Sequence, residues 1–454
     1  MEHLEKQERM EMWNKIQEAL MEEQISQFRA EFLALHPYDQ AKIFEEQQED
    51  IRFLIYSYLS PEEVAEVMEN VDRDLETTFI TEMVPAFAAK VLEHMAIDDA
   101  VDILNDLDNN KLASFLTMMD QEEADEIKKL LHFEEKTAGS IMTTEYVVIH
   151  TQMTVKEAMR HLRKEAPDAE TIYYIYVVDS NEKLVGVISL RDLIIAEGNL
   201  KIQDVMSDRV VSVPVGEDQE DIAQMMRDYD FLALPVVDFQ NHLLGIITVD
   251  DIMDVMEEEA SEDYSKLAGI SDVDSSGDTA FSSAKKRLPW LIILLFLGMV
   301  TASVIGRFEA TLEQVAILAV FIPLIAGMAG NTGTQALAVA VRSISTGEMD
   351  KRGKASVIWQ ETKTGMITGV SCGGIITLLI AFLYSDFFLG VLVGISIMAT
   401  LLVATISGAV IPLIMHRLKI DPAVASGPFI TTLNDLISVF IYFGLATAFM
   451  RFLI

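Results

Sequence analysis

An aspartate, Asp435, lies near the middle of a long apolar segment that begins at Pro428 and ends at Gly444. The residues on both sides of it are apolar over a length sufficient to cross a bilayer. A carboxylate near the centre of a membrane span costs at least ~2.5 kcal/mol on insertion scales, so it must face protein, a cation or water. Two interpretations are open: a buried carboxylate hydrogen-bonded to Thr431 or Thr432, or a cation site in a transport pathway.

A second polar group of residues follows Pro323 in another apolar segment. Three glycines recur there at a spacing of three: Gly327, Gly330 and Gly333. Such a run weakens an ordinary helix but allows close packing and exposes backbone carbonyl groups. The polar side chains around them add oxygen atoms at membrane depth: Asn331, Thr332, Thr334 and Gln335. Both small-residue helix packing and a second set of cation ligands fit this pattern.

A dense run of carboxylates lies on one predicted helix before the apolar part of the chain. Its members are Asp250, Asp251, Asp254, Glu257, Glu258, Glu259, Glu262 and Asp263.

 Carboxylates spaced by four residues share a helix face, where like charges oppose folding. A solvated face is one interpretation. Bound cations are the other, because hard oxygen ligands suit Mg²⁺ or Ca²⁺.

The composition separates the chain into two parts of opposite character. The 454 residues carry a net charge of −37, yet half of them are hydrophobic. The acidic residues lie almost wholly before residue 280 and the apolar residues concentrate after 288, which predicts an acidic soluble portion followed by a membrane portion. An acidic surface argues against nucleic acid and for cations as partners. The start of the chain lacks the features of a signal peptide, so we expect the soluble portion to stay in the cytoplasm.

The first 135 residues have helical patterns, with almost no glycine and no alternating strand pattern. Three similar segments begin at Ser60, Ala96 and Asp120. Each predicts an N-cap followed by carboxylates in the first helical turn, where the helix dipole favours them. Stacked short helices of this kind predict a solenoid-like all-α superhelical domain.

A pattern of alternating strands and helices occurs twice between about 137 and 256. The segment 176–193 returns as 235–252, each with two apolar strands around a turn and a helix behind Ser189 or Thr248. These copies resemble a tandem pair of CBS domains, which implies a possible adenine nucleotide site, with ATP as the candidate ligand. The resemblance implies that Asp192 and Asp251 contact a ribose and that Arg191 contacts phosphate; the counterpart of Arg191 is Asp250.

Five apolar segments are long enough to cross a bilayer: 288–306, 313–341, 357–383, 387–415 and 424–450. A basic cluster at 285–287 directly precedes the first. Further basic residues lie in alternate connections: Arg342, Lys351, Arg352, Lys354, His416, Arg417 and Lys419. The positive-inside rule therefore predicts a multi-pass protein of the cell membrane, with a cytoplasmic N-terminus and an extracellular C-terminus.

The order of these parts, and two membrane motifs, resemble the MgtE family of Mg²⁺ channels and transporters. The motifs run from Gly330 to Gln335 and from Asp421 to Asp435. The resemblance implies a homodimer in which Asp435 of each subunit holds a largely hydrated Mg²⁺, and closure by cytosolic Mg²⁺ at acidic sites. The predicted pore ligands are Asp435, Asn331, Thr431 and Asn434. The predicted regulatory ligands are Asp98, Asp102, Asp218, Glu220, Asp230, Asp250, Asp251, Asp254, Glu258, Glu259, Glu262, Asp263 and Asp421.

The sequence thus predicts four parts: an acidic all-α N-terminal domain (1–136), α/β tandem CBS domains (137–256), a connecting helix (257–284) and a five-helix membrane domain (285–454). We expect a cation to bridge Asp421 and Glu258, Glu259 or Glu262 and to lock the gate. On that interpretation, Asp421→Ala leaves the channel more open at high internal Mg²⁺.

Three functions remain in competition at the level of sequence. The first is a Mg²⁺-selective channel closed by internal Mg²⁺, the second is a broader importer that also passes Mn²⁺ or Co²⁺, and the third is a membrane sensor without transport. The third offers no reason for Asp435 or Asn331. An enzyme is not expected, because the sequence has no phosphate-binding glycine loop, nucleophile motif or pair of metal-ligand histidines.

Overall fold

The computed structural model describes residues 13–270, 279–346, 353–422 and 425–452. The chain divides into two compact units, Met1–Met256 and Glu257–Ile454. Parts of three predictions fall outside the described residues: the start of the chain (1–12), the middle of the predicted connecting helix (271–278), and Lys351 with Arg352.

Short helices form the described residues from 13 to 130, as predicted. Helix α1 covers 13–21. The next nine are α2 (Ile25–Phe32), α3 (Pro37–Glu45), α4 (Glu49–Tyr58), α5 (Pro61–Met68), α6 (Arg73–Glu82), α7 (Pro85–His94), α8 (Ile97–Asn105), α9 (Asn109–Met118) and α10 (Gln121–Leu130). From α3 onward, every second helix begins 24 residues after its counterpart. The unit is therefore a pair of helices repeated four times, which confirms the superhelical fold.

Carboxylates at the ends of α3, α5 and α7 stabilise this repeat, and the first of them, Glu45, accepts a hydrogen bond from the backbone N–H of Asp72 at 2.8 Å. Glu69 accepts a hydrogen bond from the backbone N–H of Ala96 at 3.0 Å, and Glu93 accepts one from the N–H of Asp120 at 2.6 Å. Ser60 forms the expected N-cap, since its hydroxyl accepts from the N–H of Glu63. Ala96 and Asp120 occupy the N-cap positions of α8 and α10 as expected, although neither side chain accepts a cap hydrogen bond.

Two three-stranded sheets follow, with the same topology. Their strands are β1 (Tyr146–His150), β2 (Thr171–Val178), β3 (Leu184–Ser189), β4 (Val213–Pro214), β5 (Ala233–Val237) and β6 (Leu243–Thr248). In each sheet the first strand is parallel to the second and the second is antiparallel to the third. The helices between them are α11 (Val155–Glu165), a 3₁₀ turn at Ala166–Asp168, α12 (Leu190–Ile195), α13 (Ile202–Val205) and α14 (Gln219–Tyr229). The predicted α/β repeat is confirmed.

A long helix, α15 (Val249–Ala268), continues from the last strand without a break. It ends in a Schellman motif, in which the N–H of Ile270 donates to the carbonyl of Ser265 and that of Gly269 donates to Lys266. Gly269 has a φ of +75°, a conformation that favours glycine. The helix crosses the boundary that the sequence analysis set between 256 and 257.

Five of the described helices are long and apolar enough to cross a membrane, in agreement with the sequence prediction. They are α16 (Ala280–Gly306), α18 (Leu318–Ser345), α19 (Lys354–Leu383), α20 (Phe387–Arg417) and α21 (Gly427–Ala448), with a short helix α17 (Glu309–Gln314) and a final 3₁₀ turn, Met450–Phe452. The first of them begins eight residues before the predicted span, because the hydroxyl of Thr279 accepts from the N–H of Ser282 and starts the helix there.

The core of the second unit lies between α18, α20 and α21. Tyr442 is buried and donates a hydrogen bond from its hydroxyl to the carbonyl of Leu318 at 2.9 Å. Glycines let α19 and α20 approach closely, since a Cβ placed on Gly373 would lie 2.5 Å from the carbonyl oxygen of Gly394. Among the described residues of α16, none is buried.

Candidate cation-binding sites

Asp435 lies in the third turn of α21, which Ser426 caps by accepting from the N–H of Phe429. Its Oδ1 atom is buried and has no hydrogen-bond partner among the described residues. Thr432 donates to the carbonyl of its own helix at Pro428, 2.8 Å away. An unsatisfied buried carboxylate oxygen is costly, and a cation or its hydration water would satisfy it.

The hydroxyl of Thr431 does not bond to Asp435 either. It lies 3.3 Å from the hydroxyl of Thr334 on α18. The interpretation of Asp435 as a carboxylate held by Thr431 or Thr432 therefore has no support in the contacts of the described chain. The pairing of these two threonines instead brings α18 and α21 together at the depth of Asp435.

Two of the three glycines on α18 serve the packing against α21. A Cβ on Gly330 would lie 2.6 Å from the Cγ2 atom of Thr431, and one on Gly333 would collide with the amide nitrogen of Asn434. Gly327 has nothing within 4 Å of the same position. Small-residue packing thus explains Gly330 and Gly333 and leaves Gly327 facing open space.

Asn434 is buried at the meeting point of three helices. Its Oδ1 atom accepts a hydrogen bond from the Ser407 hydroxyl of α20 at 2.6 Å, while its Nδ2 group is buried without a partner in the described chain. Asn331, in contrast, is exposed. Of the four predicted pore residues, Thr431 and Asn434 lie against α18 and Asp435 is half-buried beside them. The side chain of Asn331 makes no hydrogen bond with another described residue.

A second group of carboxylates lies in the first unit, between the helical repeats and the second sheet. Asp98 is in the first turn of α8 and Asp251 in the first turn of α15. Burial, and next the charge of Asp251, raise the pKa of Asp98 well above its usual value. Burial also raises the pKa of Asp251, against the hydrogen bond it accepts from the Thr248 hydroxyl. The Oδ1 atom of Asp98 is buried without a partner among the described residues.

The same cluster includes carboxylates that the sequence analysis did not single out. Burial, and next the charge of Glu69, raise the pKa of Asp99 to about 7. Burial, and next the charge of Asp99, raise the pKa of Glu76 to about 8. Glu170 also has a raised pKa, through burial and the charge of Asp251. Neighbouring acids at helix starts were visible in the sequence, but the convergence of α6, α8 and α15 was not.

The other predicted regulatory residues occupy several separate places. Asp102 forms an ion pair with Arg73. Asp218 caps α14 at its start, where it accepts from the N–H of Glu220, and Asp230 follows the last residue of the same helix in the left-handed conformation. A helix of this length separates its ends by about 16 Å. One chain therefore does not bring Asp218 and Asp230 to a single metal ion.

The acids at the end of α15 belong to the second unit. Asp263 accepts a hydrogen bond from the Ser345 hydroxyl at 2.9 Å, and Asp421 forms an ion pair with Lys266. Other members of the predicted set also make polar or electrostatic contacts: Glu220, Asp254, Glu258, Glu259 and Glu262. Within the described part of the chain, no three His, Cys, Asp or Glu side chains form a group that could hold a metal ion. Cation sites here would consist of one or two carboxylates and bound water, as Mg²⁺ prefers.

The two halves of the α/β repeat differ at the predicted nucleotide residues. Arg191 and Asp192 are exposed, with Nε and Oδ1 3.7 Å apart. Asp192 also accepts from the Ser189 hydroxyl at 2.7 Å. Its counterpart Asp251 belongs to the acidic cluster described above. The first copy therefore presents polar groups to solvent where the second copy faces other carboxylates.

Three family profiles match successive parts of the chain. The profile described as the MgtE intracellular N domain matches residues 35–136. The CBS domain profile matches 138–198 and 202–258. The profile of MgtE, described as a divalent cation transporter, matches 322–445.

Individual proteins are similar over nearly the whole chain or over the soluble part. The magnesium transporter MgtE of Enterococcus faecalis is 48% identical, over 99% of this chain and 100% of its own length. The crystal structure of the soluble part of a magnesium transporter is 50% identical, with a TM-score of 0.54, over 56% of this chain and 99% of that one. The cytosolic domain of the Mg²⁺ channel MgtE in complex with ATP is 38% identical, with a TM-score of 0.51, over 54% of this chain and 99% of that one.

Proposed function

Because this chain belongs to the MgtE family of divalent cation transporters, we propose that it carries Mg²⁺ across the bacterial cell membrane along a path that passes Asp435. The observation that carries this proposal is the buried Oδ1 atom of Asp435, which no described residue satisfies. The predicted absence of enzymatic activity agrees with the relatives, which are transporters.

Mg²⁺ gives up its water reluctantly, and this property determines the kind of site that can pass it. A pore for it presents carboxylate and neutral oxygens to a hydrated ion instead of enclosing a bare one. Asp435 supplies the charge, and Asn331, Thr431 and Asn434 supply neutral oxygens in the proposed path. The packing of α18 on α21 supports this assignment, since it fixes Thr431 and Asn434 beside Asp435.

In a homodimer, the Asp435 carboxylates of both subunits would face one Mg²⁺ ion. Exposed apolar side chains in the first unit support association of two copies, because Ile194, Ile195 and Met253 are 63, 74 and 64% exposed. The uncovered surface of α16 leaves room for lipid or for a second subunit. We place the N-terminus in the cytoplasm and the C-terminus outside, which follows from five spans and from the match to an intracellular N domain.

Internal Mg²⁺ is the proposed closing signal. When both are ionised, Asp98 and Asp251 repel one another, and a hydrated cation between them would turn this repulsion into attraction. The other predicted regulatory residues would add to the effect, except Glu262 and Asp421, with Asp218 and Asp230 in separate sites. Cation loss would allow the helical repeats and the second sheet to separate.

ATP is the proposed second ligand of the soluble part. The solved cytosolic domain of a relative contains ATP. In this chain Arg191 and Asp192 are exposed and available to phosphate and ribose, whereas Asp251 is held in the acidic cluster. We therefore place the nucleotide at the first copy.

Mg²⁺ uptake into vesicles tests the transport proposal. We expect Asp435→Asn, which keeps the shape of the side chain and removes its charge, to reduce uptake to the level of empty vesicles. Asp386→Asn is the matched control, because Asp386 caps α20 and asparagine retains that role. Equal uptake by wild type and Asp435→Asn would make Asp435 a structural carboxylate and favour the sensor without transport. Comparable uptake of Co²⁺ would favour the broader importer.

A further inference from the structure

The end of α15 makes an ion pair where the sequence analysis expected a bridging metal ion. The Nζ atom of Lys266 lies 2.5 Å from an oxygen of Asp421 and 2.5 Å from an oxygen of Glu262. Glu262 is one turn earlier on the same helix, and Asp421 follows the end of α20. The ammonium group therefore occupies the position between the two carboxylates that a shared cation would need.

The surroundings of this ion pair are acidic and partly screened from water. The three side chains are 27 to 35% exposed. Asp263, which accepts from Ser345, has a pKa raised by burial and by the charge of Asp421. Burial opposes the charge on Lys266, but its hydrogen bonds to Asp421 and Glu262 outweigh burial and raise its pKa. The lysine stays charged at neutral pH and offsets part of the acidic charge.

The same end of α15 also packs against α18 and α21 through apolar contacts. Leu267 packs against a buried cluster formed by Leu337, Val341, Ala425 and Ile430. A Cβ on Gly427 would lie 3.3 Å from the carbonyl oxygen of Leu267, so the two backbones are close. Ser265, in the last turn of α15, is only 6% exposed.

We propose that Lys266 is a built-in cation that holds the end of α15 against the membrane helices without any bound metal. The proposal rests on the transport function above and on the gate that the sequence analysis expected at Asp421. It replaces the expected divalent bridge at Asp421 with an ammonium bridge, and Lys266 acts as a positioning residue. Mg²⁺ at this point would compete with the lysine instead of filling an empty site.

A labelling experiment on the full-length chain separates the two kinds of bridge. Cys372 is replaced by serine, and Ser265→Cys introduces a thiol at the buried position. The rate of maleimide labelling then reports how often the end of α15 moves away from α18 and α21 and exposes this thiol. The rate is measured in EDTA and at millimolar Mg²⁺. The assay needs no transport, so it gives an answer even if Mg²⁺ uptake is not observed.

We expect slow labelling in EDTA when Lys266 is present and labelling about fivefold faster with Lys266→Met, as for a partly exposed ion pair. Lys266→Arg should remain slow, because it keeps the charge. Lys285→Met, which removes an exposed charge on α16, is the matched control and should have no effect. Equal rates for Lys266→Met and its parent in EDTA would overturn the proposal. A parent that is fast in EDTA and slow only with Mg²⁺ would also overturn it, in favour of a metal bridge.

Discussion

The hydrogen bonds of two threonines bear on the two interpretations of Asp435 that the sequence left open. The hydroxyl groups of Thr431 and Thr432 are both engaged elsewhere, so neither satisfies the carboxylate. The sequence predicted the carboxylate and its depth in the membrane, but not the directions in which the hydroxyl groups of Thr431 and Thr432 point. Hydroxyl orientation depends on which helix packs alongside, and that is decided by residues far away in the chain.

Gly333 is the residue on which the packing around Asn434 depends most directly. We expect Gly333→Ala to lower stability by about 1–3 kcal/mol, because the added methyl group would overlap the buried Asn434 amide and press on Ile430. Mg²⁺ uptake should fall with it. Thermal unfolding of the purified chain measures the first effect. Gly298→Ala on α16 is the control, since nothing lies within 4 Å of its Cβ position. Equal melting temperatures for the two variants would contradict this account.

At the scale of elements, the sequence predicted five membrane helices and a repeated α/β unit, and both are confirmed. It did not reveal the 24-residue period of the helical repeats, because the segments at Ser60, Ala96 and Asp120 come from two different positions in that period. Glu69 and Glu93 support this period, because each accepts a hydrogen bond from the backbone N–H at the start of the helix three elements later. Contacts between such distant residues leave no local pattern.

The contact between α19 and α20 offers two neighbouring glycines with opposite surroundings. A Cβ on Gly373 would lie 2.5 Å from a backbone carbonyl of α20, whereas one on Gly374 meets nothing within 4 Å. We expect Gly373→Ala to push the helices apart and to destabilise the chain by about 1–3 kcal/mol. Gly374→Ala should be neutral or slightly stabilising, because alanine favours the helix. Thermal unfolding compares them, and a larger loss for Gly374→Ala would contradict the assigned faces.

The acidic cluster of Asp98, Asp99 and Asp251 links charge to the stability of the whole first unit. The raised pKa of Asp99, about 7, means that the folded chain binds protons that the unfolded chain releases. Without Mg²⁺, the free energy of unfolding should therefore fall as the pH rises from about 6 to about 8. Each kcal/mol that is lost lowers the melting temperature by about 2–4 °C. Mg²⁺ should stabilise the chain more at the higher pH, where the carboxylates are ionised.

Thermal unfolding with and without Mg²⁺ at both pH values checks this expectation. Asp98→Asn should weaken the stabilisation by Mg²⁺, because it removes one of the two facing carboxylates. Asp50→Asn changes a carboxylate outside the cluster and serves as the control. A Mg²⁺ effect that is independent of pH and unchanged in Asp98→Asn would exclude the cluster as a cation site.

The whole molecule was predictable in its order of parts, because charge and apolar length change sharply along the chain. The proposed boundaries at 136, 256 and 284 stay predictions, and α15 passes through the second of them without interruption. Sequence patterns locate a change in composition, whereas a helix ends only where capping or packing stops it. Here the stop is the Schellman motif at Gly269.

The uninterrupted course of α15 also determines the directions of its side chains. Each residue of an α-helix turns its successor by roughly 100°. Thr248 and Asp251 pair in the first turn of α15, and Lys266 and Leu267 make their contacts in its last turns. Deleting one residue between them would turn the last side chains by roughly 100° relative to the first ones. The number of residues in α15 is therefore constrained as strictly as the identity of its last side chains.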